Sequence, residues 1–398
     1  MKPGMFIHPP QKMLRQATVI SRQQGFSLVE LMVALVLGLI IMAGVIAVFS
    51  SVRNTQQTDT GLTRIQENAR FAINIISKEA RSAGYLGCLR DLTQFQSALK
   101  NAATFQYNFG VGIEGFEADN TQPGAAIVNL ATTVSTWTPT LDANIPSSGN
   151  TVPGSDVLVI RRISNEGYRL LPNYVSDAKT FSEPGTELNY KTGDILVVTD
   201  CERATVFQAT NVTLAGGQVG IDHSLAAATP GNRCDVWGSA GCVALPTYGA
   251  GAEISRASTV VFYVRQNPGD ALPALYMARF GQGAGVLSGL RLVDGVESMQ
   301  IVYGVDTTPS VINRAERYMT AAQIATDVNI DWSQVVSVRV SLLMRTVNEP
   351  GEQADQTADV KVSYALAGTP VKPPSDQNRR RVFTTTIQLR NRIKAGVE

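Results

Sequence analysis

The chain has 398 residues, with 34 Lys and Arg against 33 Asp and Glu and a formal net charge of +1. That balance excludes a protein that holds nucleic acid through overall charge. The length allows one large domain or two, and 44% hydrophobic residues supply ample material for a core.

The first 25 residues contain Lys2, Lys12, Arg15 and Arg22 and no acidic residue. Without them the balance becomes 30 basic against 33 acidic groups, a net charge of −3 over 373 residues. From Leu28 to Phe49 the chain is apolar, with Leu31 to Phe49 wholly uncharged, which is long enough to cross a bilayer as a helix. The run exceeds the hydrophobic region of a cleaved secretory signal, and no small-x-small site follows it. The positive flank predicts that residues 1–25 stay in the cytoplasm and the rest lies outside. Glu30 stands at the lip of this segment, although a charge at the bilayer centre costs about 2.5–3.5 kcal/mol. The N-terminal end of a helix dipole tolerates it there.

The hexapeptide Gly25-Phe26-Ser27-Leu28-Val29-Glu30 resembles the cleavage motif of type IV prepilins and type II secretion pseudopilins. The resemblance implies that a membrane peptidase cuts between Gly25 and Phe26, that the new terminal Phe26 is N-methylated, and that Glu30 is retained. It then gives Glu30 a second role, pairing with the Phe26 amine of a neighbouring subunit, because a partner compensates what burial costs each charge. This subunit registration is favoured over a carboxylate resting at headgroup level.

Beyond Phe49 the apolar positions Leu62, Ile65, Ala69, Ala72 or Ile73, Ile76, Ala80 and Ala83 recur in steps of three and four and trace one helical face. Gly84 offers a stop. One helix over 26–84 is expected, its first part (26–50) transmembrane, with Thr58 to Gly61 as the place for a local break. Then the texture turns to β. SDVLVIRR (155–162), GDILVVTDC (193–201), STVVFYVR (258–265), PALYMARF (273–280), LVDGVESMQIVYGVD (292–306), VVSVRVSLLMRT (335–346) and RVFTTTIQLRNR (381–392) are β-branched and aromatic runs bounded by turn residues. In the last, Phe383, Thr385, Ile387 and Leu389 share a face. Residues 101–150 and 209–252 read as long loops or an inserted subdomain, and 349–356 and 368–378 as surface segments.

The strand texts sharpen the resemblance to large minor pilins of the PilW type. It implies an α+β, type IV pilin-like fold, with the long helix packed on an antiparallel sheet domain (85–398) bearing long inserted loops. It also implies a non-enzymatic subunit that primes pilus assembly and stays near the tip, supporting twitching motility and adhesion. Its implied partners are other minor pilins, the major pilin, the prepilin peptidase and N-methyltransferase, and the inner-membrane assembly platform. The implied location is the inner membrane with a periplasmic domain, then the pilus. Long pseudopilins of type II secretion share leader and roll and are the alternative, as is a tip adhesin or DNA-uptake pilin.

Cys88, Cys201, Cys234 and Cys242 all fall on the oxidising side, which predicts two disulfides. Cys234 and Cys242, eight apart, suggest a local bridge, leaving Cys88 for Cys201. Metal or other cofactor chemistry finds no ligand set, since the mature chain keeps only His223 and has no C-x-x-C. His223 beside Asp222 reads as a surface residue rather than a base. Gly281-x-Gly283-x-Gly285 reads as a turn, and Asn211-Val-Thr213 as an uninformative sequon. Arg379, Arg380, Arg381, Arg390, Arg392 and Lys394 make the C-terminus basic, but strand alternation splits them between faces. They are expected to protect an edge strand rather than form a DNA site.

Overall fold

The computed structural model describes residues 25–391 other than 90, 134–135, 146–150, 172–179, 186, 226–228, 236, 238–244, 282–288, 309–313, 348–362, 375 and 377. The chain divides into two compact units, meeting in sequence at Gln57 and Thr58. One α-helix, α1 (Leu28–Arg81), carries 54 residues through that boundary. The break expected at Thr58 to Gly61 is absent: no proline interrupts the segment, and Gly61 lies in unbroken helix. In the first unit, every described side chain from Gly25 to Arg53 is exposed, including Leu31, Leu39, Ile46 and Phe49. This helix, apolar on all sides and covered by nothing among the described residues, is long and apolar enough to span a membrane.

In the second unit the pattern changes to the predicted one-sided stripe. Ile65, Ala69, Ala72, Ile76, Ala80 and Ala83 are buried, while Arg70 and Lys78 remain exposed. Four alanines keep this face shallow, so the helix backbone approaches the strands beneath it. The stripe packs on Leu158, Ile160, Val260, Phe262, Met299, Ile301, Val338, Val340 and Leu342 from two sheets. The helix ends at Arg81, and Gly84 adopts a left-handed conformation (φ +69°), as the stop predicted.

Among the described residues the larger sheet has nine strands. Its centre is the pair Val157–Arg169 and Glu253–Arg265, antiparallel, flanked by Ile113–Ala118, Ile195–Thr199 and Ala274–Phe280. A four-stranded sheet follows the order Arg317–Met319, Val296–Val305, Val335–Arg345, Arg380–Gln388. All seven runs read as β in the sequence lie on these strands. Most pairings are antiparallel, with parallel exceptions between Phe95–Ser97 and Ala204–Gln208 and between Thr369–Lys372 and Val128–Asn129.

The segments read as loose are partly built. Ile113–Ala118 joins the large sheet from within 101–150. Asn211–Ala215 and Gln218–Asp222 form a hairpin that pairs with Thr180–Pro184 in a small sheet of its own. The hairpin turn, Gly216-Gly217, takes positive φ at both positions, which the two-residue connection demands. Thr369–Lys372 is a strand inside the expected surface segment 368–378, while 349–356 lies outside the described residues.

Candidate assembly site

Gly25, Phe26 and Ser27 precede α1, and the Ser27 carbonyl accepts the first helical bond from the Leu31 N–H (3.1 Å). Phe26 is 83% exposed, and Glu30 projects from the first helical turn, where the dipole favours a carboxylate. A side chain at Gly25 would meet nothing within 4 Å, so the folded chain itself makes no demand for glycine there.

The lower helix is fastened to the sheets by specific polar contacts. Glu79, buried, receives Arg162 Nε on one oxygen (2.8 Å) and Arg279 on the other (3.1 Å). Asn68 donates to the Asp294 carbonyl and Asn391 to that of Arg81. Past the helix end, Gly84 N–H donates to the Arg161 carbonyl, and a Cβ on Gly112 would lie 2.5 Å from Gly84 Cα. Two backbones touch there, and only glycine permits it. The predicted Cys88–Cys201 disulfide is present, spanning a sequence separation of 113. In the chain-entropy account a loop of that size stabilises by about 4–5 kcal/mol. Cys234 is also disulfide-bonded, and Cys242 lies outside the described residues.

The two sheets meet at Gly154–Asp156, a joint the sequence does not announce. Asp156 accepts the Ala118 N–H with one oxygen (2.9 Å) and the Ile301 N–H with the other (2.7 Å). Ser155 accepts the Met299 N–H, and Gln300 donates to the Gly154 carbonyl. These bonds satisfy the Met299 and Ile301 N–H groups and the Gln300 side chain within Val296–Val305, a strand buried along all ten residues. Burial raises Asp156 to about 7, against the pull of its two N–H donors. Burial, and then the Asp156 charge, holds Glu117 well above the ordinary range. Burial and mutual repulsion thus both favour protonation within the joint, while the two N–H donors favour the Asp156 carboxylate.

His223 is corrected by the structure. It is fully buried rather than on the surface, its ring 4.5 Å from both Phe181 and Trp237. Neither ring nitrogen has a hydrogen-bond partner, and burial lowers it to about 4, which favours the neutral ring within this aromatic core. No group of three His, Cys, Asp or Glu side chains that could hold a metal occurs among the described residues. The sequence hid this cluster because Phe181, Phe207, His223 and Trp237 come from separate segments.

At the C-terminus the basic residues do not form one patch. The Arg380 side chain is buried, forked between Glu297 (2.6 and 2.9 Å) and Asp376 (2.6 and 2.7 Å). Arg381 is exposed and lies over the Phe383 ring. Arg390 is exposed, and Arg392 and Lys394 lie outside the described residues.

Two family models match. The prokaryotic N-terminal methylation motif covers residues 20–46, the exposed apolar helix and the hexapeptide before it. Type IV Pilus-assembly protein W covers residues 261–391, from the centre of the large sheet to the last described residue. Together they support a type IV pilus minor pilin of the PilW type. No curated protein and no solved structure matches the chain. The C-terminal match spans the whole four-stranded sheet, including the strand that carries Arg380 and Arg381. Pilin-family domains are structural subunits, and the two matches are consistent with a non-enzymatic chain.

Proposed function

We propose that this pilin primes assembly of a type IV pilus, stays near its tip, and so supports twitching motility and adhesion. The observation that carries the reading is the coupling of two matches in one chain: the methylation motif on an uncovered apolar helix, and the assembly-protein match on the sheet domain. Residues 1–25 are the leader, cut between Gly25 and Phe26 by the prepilin peptidase, with Phe26 then N-methylated. Before assembly the chain sits in the inner membrane with its N-terminus cytoplasmic and the domain of residues 85–398 in the periplasm. Its partners are other minor pilins, the major pilin and the assembly platform.

Glu30 registers the subunit against a neighbour's terminal amine. Glu30→Ala leaves Gly25 and Phe26 at the scissile bond unchanged, so the precursor should still be cut and mature-sized protein is expected, with little in sheared pili. Removing one member of a buried pair costs about 3–5 kcal/mol. Normal incorporation of that variant would end the registration role. Deleting the chain decides the larger question. Loss of surface pili and twitching with normal export supports the pilus role, whereas blocked export with intact pili selects the secretion pseudopilin.

A further inference from the structure

The strand Arg380–Gln388 lies at the end of the four-stranded sheet, and its pairing with Val335–Arg345 runs without a bulge from Arg345↔Arg380 to Ser337↔Gln388. The orientation of its backbone follows from the flanking bonds. Leu389 N–H donates to the Val336 carbonyl, and Thr346 N–H donates to the Arg379 carbonyl. In an antiparallel ladder the residues facing the neighbour alternate with those facing away. Odd-numbered residues therefore bond inward, and Val382, Thr384, Thr386 and Gln388 turn N–H and C=O outward. No described strand meets those groups.

Natural edge strands avoid unwanted pairing by being short, bulged, or interrupted by charge or proline. This one has none of those devices along Val382–Gln388, a stretch of β-formers (VFTTTIQ) with no charged residue. The charge expected to shield it is elsewhere: Arg380 is consumed by Glu297 and Asp376. What remains exposed is cationic and at the ends, Arg381 before the stretch and Arg390 after it, with no carboxylate paired to either among the described residues. We infer that this edge is a docking strand, to which an extended segment of a different pilus subunit adds by main-chain pairing, uncharged in its middle and acidic toward its ends. A second copy is the poorer occupant, because residues 379–391 contain no acid and two copies bring only like charges to the shared edge.

The inference rests on the pilin reading, and one experiment separates the two. Thr386→Pro and, independently, Gln388→Pro are expressed as the full chain in the native host. Each removes an outward N–H and leaves the inward main-chain pairing intact, since proline is tolerated on an edge strand where its nitrogen faces away. Thr386→Pro also loses the bond its hydroxyl accepts from Arg339 Nε (3.1 Å), which Gln388→Pro retains. A non-reducing gel reports the Cys88–Cys201 bridge as a check on folding, and sheared pili are blotted for the protein. The expected result is wild-type protein in the pilus fraction and a drop of about tenfold for each folded variant. A photocrosslinker placed at Thr386 should join the chain to another pilus subunit. Wild-type levels of either folded variant, or crosslinks only to a second copy, would overturn the docking strand while leaving the pilin reading intact. Absence of the wild-type chain from pili would overturn both.

Discussion

The two parts of α1 share a backbone and little else. Between Leu31 and Val52 the helix is apolar on every side and wholly exposed, so no single side chain there holds the fold. Between Ile65 and Ala83 half its surface is polar, and a stripe of small and branched residues is buried under two sheets. The first part is written for a partner outside the chain, lipid or other helices, and the second for the chain's own strands. Identical secondary structure thus carries opposite obligations, and side-chain pattern alone tells them apart.

The sharpest way to break that contrast is to shorten one isoleucine in each part. Ile76→Ala should cost the protein about 2–5 kcal/mol in chemical denaturation, because it opens a cavity at a fully buried site. Ile40→Ala, at a position 63% exposed, should leave the transition where it was. Equal losses in both would show that the first part also packs on its own domain.

Glu79→Gln tests whether the second part is held by charge as well as by packing. Its two arginines keep some solvent access, so the expected loss is about 1–3 kcal/mol, smaller than for a sealed pair. High salt should narrow the difference from wild type. Gly112→Ala probes the backbone contact beyond the helix and should cost a similar amount, about 1–3 kcal/mol, with neighbours shifting to admit the methyl group.

The smallest effect separates the parts by pH. Leu31 to Val52 contains no titratable group, whereas the sheet unit buries Glu183 with both oxygens unpartnered and His223 beside aromatic rings. Burial lifts Glu183 to about 8. A carboxyl that holds its proton more tightly when folded favours the fold below the unfolded pKa of about 4.5, and that favour is lost as pH rises through 8. Glu183→Met should therefore stabilise by about 1–2 kcal/mol at pH 8 and by less at pH 5. His223 has the opposite sign: depressed to about 4, it supports the fold above pH 6.5 and loses that support as pH falls toward 4. A stability profile flat from pH 4 to 8 in wild type would contradict both assignments.

What the sequence made legible was whatever repeats or stands in a fixed local frame. The hexapeptide around Gly25, the apolar run, the stripe from Ile65 to Ala83 and seven β-rich runs are all patterns of near neighbours. Asp156 was hidden for the converse reason. In SDVLVIRR it reads as one polar residue at the start of a β run, and only the fold brings Ala118 and Ile301 to its two oxygens. The placement of Arg380 was hidden likewise, since Glu297 lies 83 positions away. Burial of a lone polar residue is a property of its distant neighbours, which no local spacing records.

The Cys88–Cys201 bridge also sets how the chain behaves under tension. Consider a pull between the helix and the C-terminal end of the chain, as a filament subunit would feel. Once the helix has been peeled from its seam, the force reaches Cys88 within a few residues and crosses the sulfurs to Cys201. The chain between them, a separation of 113 positions, never bears load. Fully extended it would have added roughly 370–400 Å. The bond therefore withholds one segment from the load: reduced protein should pay out that hidden length in addition to whatever the oxidised protein yields.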